Sequence, residues 1–263
     1  MSVPPGAPRA LPARVLVTGA SGGIGRAIAR TLAAEGVRVL ASGRDEAALR
    51  VTQEGFEERM GRLVADLGRP EAASEVVRAA DAALGGLEGL VCAAGIARHA
   101  PIGALTAPDL EAMYRVNAAG PALLVQAAAE LLRAARGAVV LVSSTLAQRP
   151  APGTLGYAMS KAALEAATRV LAAELAPDVR VNAVAPGVVD TPMVRQPRLA
   201  PGEPEPVGAA RQARIEAQLA TLRALHPLGL GTPEDVADAV RYLLGARWLT
   251  GTVLTADGGL TAS

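Results

Sequence analysis

With 263 residues, 51% of them hydrophobic, the chain can bury one large core. A net charge of +1 with acids and bases interspersed, and an aromatic content of only 2%, argue against nucleic acid and against a charged membrane surface as partners. A lone cysteine, Cys92, excludes an intrachain disulfide and fits a reducing, cytoplasmic compartment.

Residues 1–12 lack the apolar core of a signal peptide and are expected to form a flexible arm ahead of one domain spanning 13–263. Short Val/Leu-rich runs at 14–18, 37–42, 62–65, 89–93, 138–142, 179–184 and 252–255 alternate with helical patterns at 24–35, 45–54, 70–84, 107–134, 157–176 and 233–245. The runs are continuously apolar rather than alternating, as in parallel strands covered on both faces. Pro70, Pro108 and Pro233 sit near helix starts, and Gly36 follows a helix end. This alternation predicts an α/β fold: a single-domain, Rossmann-type, doubly wound parallel sheet of seven strands. No run reaches the roughly 18 apolar residues of a membrane-spanning helix.

The first strand runs into Thr18-Gly-Ala-Ser-Gly-Gly-Ile-Gly25, which opens a helix. Glycines here permit a tight turn and close approach of the backbone to a pyrophosphate, and the helix start offers free N–H groups and a positive dipole end. The candidate contacts are Gly19, Ser21, Gly22, Gly23, Ile24 and Gly25. The second strand ends in Ser42-Gly43-Arg44. A carboxylate at this point would bind an adenosine ribose hydroxyl. Here Gly43 leaves space and Arg44 supplies a permanently charged fork suited to a 2′-phosphate, so NADP(H) is expected over NAD(H). After the fourth strand, Arg98 and His99 read as a surface loop pair. The long helix at 107–134 contains Pro121, which has no N–H for the Asn117 carbonyl. A bend is expected there, with a water between that carbonyl and Lys161.

The fifth strand ends in Ser143-Ser144, either of which could hold a substrate oxygen at the sheet edge. Tyr157 and Lys161 then stand four apart at a helix start and share one face. Of 26 basic residues, Lys161 is the only lysine. A nearby cation can lower a phenol pKa by about 1–3 units. An ammonium also offers three rotatable donors in a compact head, which guanidinium does not. Finally, residues 192–226 are rich in proline, with a helix expected at 209–225. A segment of this length after the sixth strand is expected to be a substrate lid.

These residues together resemble the short-chain dehydrogenase/reductase family over nearly the whole chain, and within it NADP-dependent 3-oxoacyl-thioester reductases. The turn at 18–25, Tyr157, Lys161 and a serine thirteen positions before the tyrosine match its pattern, and that spacing selects Ser144. The resemblance implies a catalytic set of Asn117, Ser144, Tyr157 and Lys161, no metal, adenine contacts at Asp66 and Leu67, and nicotinamide-side contacts at Pro186, Val189 and Thr191. It also implies backbone contacts at Ala93, Ala94 and Gly95, where Cys92-Ala-Ala-Gly95 replaces the family's Asn-Asn-Ala-Gly. Tyr157 and Lys161 would contact the cofactor too, Lys161 through the ribose hydroxyls. Ala147 stands where a glycine is frequent, and Pro227-Leu-Gly-Leu-Gly231 lacks an arginine common in that stretch. The implied activity is interconversion of a small-molecule ketone and a secondary alcohol by a homo-oligomer, tetramer or dimer. An alcohol dehydrogenase working oxidatively and a non-catalytic dinucleotide sensor are the other two readings open at this point.

Overall fold

A computed structural model describes residues 11–69, 71–198 and 203–262. Residues 1–10 of the expected arm, Pro70 and part of the expected lid lie outside them. Seven parallel strands form one sheet in the order β3-β2-β1-β4-β5-β6-β7. They are β1 (Arg14–Thr18), β2 (Arg38–Gly43), β3 (Met60–Val64), β4 (Gly89–Cys92), β5 (Ala138–Val142), β6 (Arg180–Pro186) and β7 (Val253–Ala256). The helices are α1 (Gly23–Ala34), α2 (Glu46–Gln53), α3 (Ala72–Leu84), α4 (Ala107–Tyr114), α5 (Gly120–Ala135), α6 (Leu155–Leu175), α7 (Gly208–Ala224) and α8 (Pro233–Gly245).

The unbroken apolar character of the strands follows from burial on both faces. Val15 and Val17 of β1 point into a core with Ile28 and Leu32 of α1 and Val240 and Leu244 of α8. Leu16, between them, points into the opposite core with Val76 of α3, Leu124 and Leu132 of α5 and Leu164 of α6. Arg180 at the start of β6 donates to the carbonyls of Leu243, Leu244 and Ala246, satisfying the C-terminal end of α8. Strand order reverses between β1 and β4, and the crevice outside their C-terminal ends is where such sheets bind ligands.

Two elements differ from expectation. The third strand starts at Met60, two residues early, because Met60 and Gly61 pair with Val39 and Leu40 of β2. The helix expected at 107–134 is three pieces: α4, a π-helical turn at Arg115–Ala119, and α5. Pro121 cannot donate to the Asn117 carbonyl, and the ladder widens beside it, the Gly120 N–H donating to the Arg115 carbonyl.

Candidate active site

The turn between β1 and α1 is built so tightly that side chains are excluded. A Cβ on Gly25 would lie 2.2 Å from the Gly19 carbonyl oxygen, and one on Gly19, at φ +72°, would lie 2.5 Å from the Ala94 nitrogen. Gly22 caps α1 without a side chain, and the first turn carries no acid. The α1 N-terminus therefore has no side-chain acceptor of its own, which fits a bound anion. Beside it, Ser42 is buried and its carbonyl accepts from the Ala20 N–H at 2.9 Å. Arg44 is exposed and makes no ion pair among the described residues. A Cβ on Gly43 would stand 2.9 Å from Ser21 Oγ, so the space at Gly43 is taken up by Ser21. Asp66 is exposed and accepts from the Gly68 N–H at 2.9 Å, while Leu67 is buried beneath it.

Across the crevice, Ala93 and Ala94 back the glycine turn, with the Ala93 N–H donating to the Thr18 carbonyl at 3.3 Å. A Cβ on Gly95 would lie 3.4 Å from Asn117 Oδ1 and 3.7 Å from Lys161 Nζ, so this loop joins the glycine turn to the catalytic candidates. Asn117 is fully buried. Its Oδ1 accepts from the Ile96 N–H at 2.9 Å, and its Nδ2 donates to the Ile96 carbonyl at 2.8 Å and to Ser160 Oγ at 3.0 Å. The amide is thus spent on clamping the loop after β4 to α6. Burial pushes the Cys92 thiol up to about 12, opposed in part by the Lys161 ammonium, and keeps it an unreactive filler.

The structure separates the two serines. Ser143 Oγ turns inward and donates to the buried Glu165 at 3.0 Å, which the Gln148 amide also holds at 3.1 Å. Ser144 Oγ accepts from the Leu146 N–H at 3.2 Å, and its hydroxyl lies near enough to the Tyr157 phenol to oppose the rise in its pKa. Lys161 is 4% exposed, its Nζ donates to the Val142 carbonyl at 2.7 Å, and it lies 5.7 Å from the Tyr157 ring centroid. The expectation that Lys161 depresses the phenol pKa is corrected here. Burial pushes Tyr157 up to about 12, with only the Ser144 hydroxyl opposing it, and Lys161 itself is pulled down to about 8 by burial. The ammonium is directed at a strand-end carbonyl rather than at the phenol, so desolvation wins.

The loop after β6 closes the site. Gly231 N–H donates to the Val188 carbonyl at 3.0 Å, and Asp190 N–H donates to the Gly231 carbonyl at 2.9 Å. Val189, bridged to Gly231, therefore turns its own N–H and carbonyl away from that pairing. Thr191 Oγ1 donates to the Val189 carbonyl at 3.3 Å, and its methyl stands 3.3 Å from where a Cβ on Gly23 would be. Pro186 accepts from Thr145 Oγ1 at 3.2 Å, which ties this loop to the turn after β5. The sequence reading missed His226, which is buried and bonded to this loop. A single histidine before a proline carries no spacing signal. Of the loop pair, Arg98 is engaged by Asp109 at 2.5 Å. The His99 ring packs on Gly153 with its pKa held down by burial and by Arg198. Among the described residues there is no cluster of His, Cys, Asp and Glu able to hold a metal ion, and no helix long and apolar enough to cross a membrane.

A glycine cradle at a doubly wound switch point, with a tyrosine beside a strand-end serine and a buried lysine, defines a dinucleotide-dependent oxidoreductase. Comparisons with known proteins agree. A family model described as Enoyl-(Acyl carrier protein) reductase matches residues 19–261. The chain is 35% identical over 257 residues to 3beta-hydroxysteroid dehydrogenase 1 of Eggerthella lenta, covering 94% of this chain and 93% of that one. It is 34% identical over 253 residues to L-xylulose reductase of Caenorhabditis elegans, covering 94% and 95%. The ligand-free aldohexose dehydrogenase of Thermoplasma acidophilum superposes with a TM-score of 0.84 at 30% identity, covering 96% and 95%. The chain belongs to the short-chain dehydrogenase/reductase family. It is an enzyme acting on alcohol and ketone substrates with a nicotinamide dinucleotide, which sets aside the sensor reading.

Proposed function

We propose that the enzyme uses NADP(H) to reduce a small-molecule ketone to a secondary alcohol, with Tyr157 as general acid. The juxtaposition of Tyr157 with Ser144 and with the buried Lys161, whose Nζ lies 5.7 Å from the Tyr157 ring centroid, carries the reading. A bound nicotinamide supplies hydride to the carbonyl carbon. Tyr157 gives its proton to the oxygen that becomes the alkoxide, and Ser144 fixes that oxygen within reach. A phenol pushed up to about 12 stays protonated across the physiological range, as a general acid must be before it gives up its proton. Lys161 holds the ribose hydroxyls. Asn117 contributes through its main-chain carbonyl, because its amide is already fully engaged.

Arg44 supports the NADP(H) preference: it is exposed, unpaired and stands at the end of β2 next to the glycine turn. In this reading residues 192–226 form the substrate lid and the enzyme works as a cytoplasmic homo-oligomer. The test is turnover on a panel of ketones with NADPH and NADH in parallel. Reduction that prefers NADPH is expected. Turnover confined to NADH, or to alcohol oxidation, would contradict the proposal.

A further inference from the structure

We propose that His226 is a positioning residue for the nicotinamide end of the site: its neutral imidazole ties the end of α7 to Val188, and protonation unties it. The inference rests on the reading of residues 186–191 as the nicotinamide-side loop. His226 lies just beyond α7, is 4% exposed, and bridges two main-chain groups. Nε2 receives the Val188 N–H at 3.0 Å, and Nδ1 lies 2.7 Å from the Leu222 carbonyl. A backbone N–H can only donate, so Nε2 must be the bare nitrogen and Nδ1 the protonated one. The tautomer follows from these partners.

Val188 is therefore held twice by the segment after α7. Its N–H is bound by His226, and its carbonyl accepts from the Gly231 N–H. The next residue, Val189, turns its N–H and carbonyl away from Gly231, and the orientation of both depends on how Val188 is pinned. The same junction includes the C-terminal turn: Gly187 N–H donates to the Ala256 carbonyl, and Leu228 N–H donates to the Gly258 carbonyl. His226 thereby links the lid helix, the loop after β6 and the turn at 257–259.

A second proton on Nε2 would set an N–H against the Val188 N–H. The bond is lost, and a cation is left in a buried site. One charged group among the described residues is coupled to the ring. Asp257 on the C-terminal turn feels the histidine directly. Its burial would raise its pKa, but the Thr261 hydroxyl and N–H and the Gly259 N–H hold it low. Asp190 on the loop is taken up by Arg195, which donates to both its carboxylate oxygens at 2.6 and 2.7 Å. Asp257 can stabilise an imidazolium but cannot restore an acceptor for Val188.

The test uses two probes, NADPH and 2′-phospho-ADP-ribose, which has the same adenosine and phosphates but no nicotinamide. The ratio of their affinities cancels titration of the 2′-phosphate. In the wild type this ratio should fall about tenfold on acidification, as the acceptor is lost. His226→Gln keeps an acceptor that does not titrate. Its ratio should be flat with pH and within about threefold of the wild type at neutral pH. His226→Leu should show the low ratio at every pH, with the affinity for 2′-phospho-ADP-ribose unchanged. A His226→Gln ratio that falls with acid as the wild type does would overturn the proposal. So would a His226→Leu ratio equal to that of the neutral wild type. Wild-type protein that binds both probes with a pH-independent ratio overturns this inference alone, whereas failure to bind either probe overturns the cofactor reading with it.

Discussion

Lys161 is charged only below about pH 8, because burial has pulled its pKa down from 10.5. If the ammonium is what holds the ribose and assists Tyr157, kcat/KM in the reductive direction should decline above about pH 8, while Tyr157 remains an acid to about 12. Lys161→Arg keeps a charge at all these pH values but cannot reproduce the bond to the Val142 carbonyl in the same space. We expect a flat profile at a level at least a hundredfold down, roughly the scale of general acid assistance. A Lys161→Arg enzyme that stays folded with near wild-type turnover would refute the role of the ammonium. At the cofactor end, Arg44→Ala should cost about 10- to 100-fold in kcat/KM with NADPH and little with NADH, the size of one lost charge-assisted contact. Equal losses with both cofactors would show that Arg44 does not read the 2′-phosphate. The structure also changes the design of a reverse switch. An aspartate at 43 would meet Ser21 Oγ, so Gly43→Asp needs Ser21→Gly beside it.

At the level of elements, legibility varied with how local the determinant is. The glycine turn could be read because its pattern lies within eight residues, and the structure explains Gly25 by contact with the Gly19 carbonyl and Gly19 by contact with Ala94. The long fourth helix was legible only as a place of trouble. Pro121 announces a missing donor, but not that the ladder would widen into a π turn over Arg115–Ala119. The family spacing selected Ser144 over Ser143, but the physical reason needed β5 and α6 placed together, since it is Glu165 that draws Ser143 away. Pro121→Ala restores an N–H four residues beyond Asn117. It should slow the proton-dependent step several-fold more than it weakens cofactor binding, measured as kcat against the NADPH dissociation constant. Equal effects on both would reduce the π turn to packing. The expected lid helix is present as α7, and its Ile215, Leu219 and Leu222 face is buried. Gln218 ties it to the preceding arm through the carbonyls of Val194 and Gln196 and the Arg198 N–H. If the segment is a lid, limited proteolysis should cut within 192–226 first, and more slowly once cofactor and substrate are bound. Cutting at the same rate with and without ligands would argue against closure.

For the molecule as a whole, the fold was readable because the central strands are apolar on both faces and each crossover is helical, which leaves few topologies. The unusual composition adds a test of the whole structure. With one lysine among 26 basic residues, few groups titrate between about pH 8 and 10, since arginine stays charged throughout. Over that window the unfolded Lys161 keeps its proton while the folded one loses it. Lys161 then makes the unfolded state bind more protons and raises stability with pH, while Cys92, pushed up from 9.0 to about 12, works in the opposite direction from about pH 9. Above 10 the sign reverses for Tyr157, whose raised pKa makes the folded state the better proton binder up to about 12. Between about pH 8 and 10, urea titrations should show a more positive slope of stability with pH in the wild type than in Lys161→Met, Cys92 contributing equally to both; the same slope in both proteins would place the titration elsewhere.

The central claim is that Tyr157, fixed by Ser144, delivers the proton in ketone reduction by NADPH. The most direct measurement is single-turnover NADPH oxidation in stopped flow with a reducible ketone, comparing the wild type with Tyr157→Phe, alongside NADPH binding followed by its fluorescence. The account predicts unchanged NADPH binding within about threefold and hydride transfer slowed by about 10²- to 10⁴-fold in Tyr157→Phe. Hydride transfer in Tyr157→Phe at the wild-type rate would contradict it.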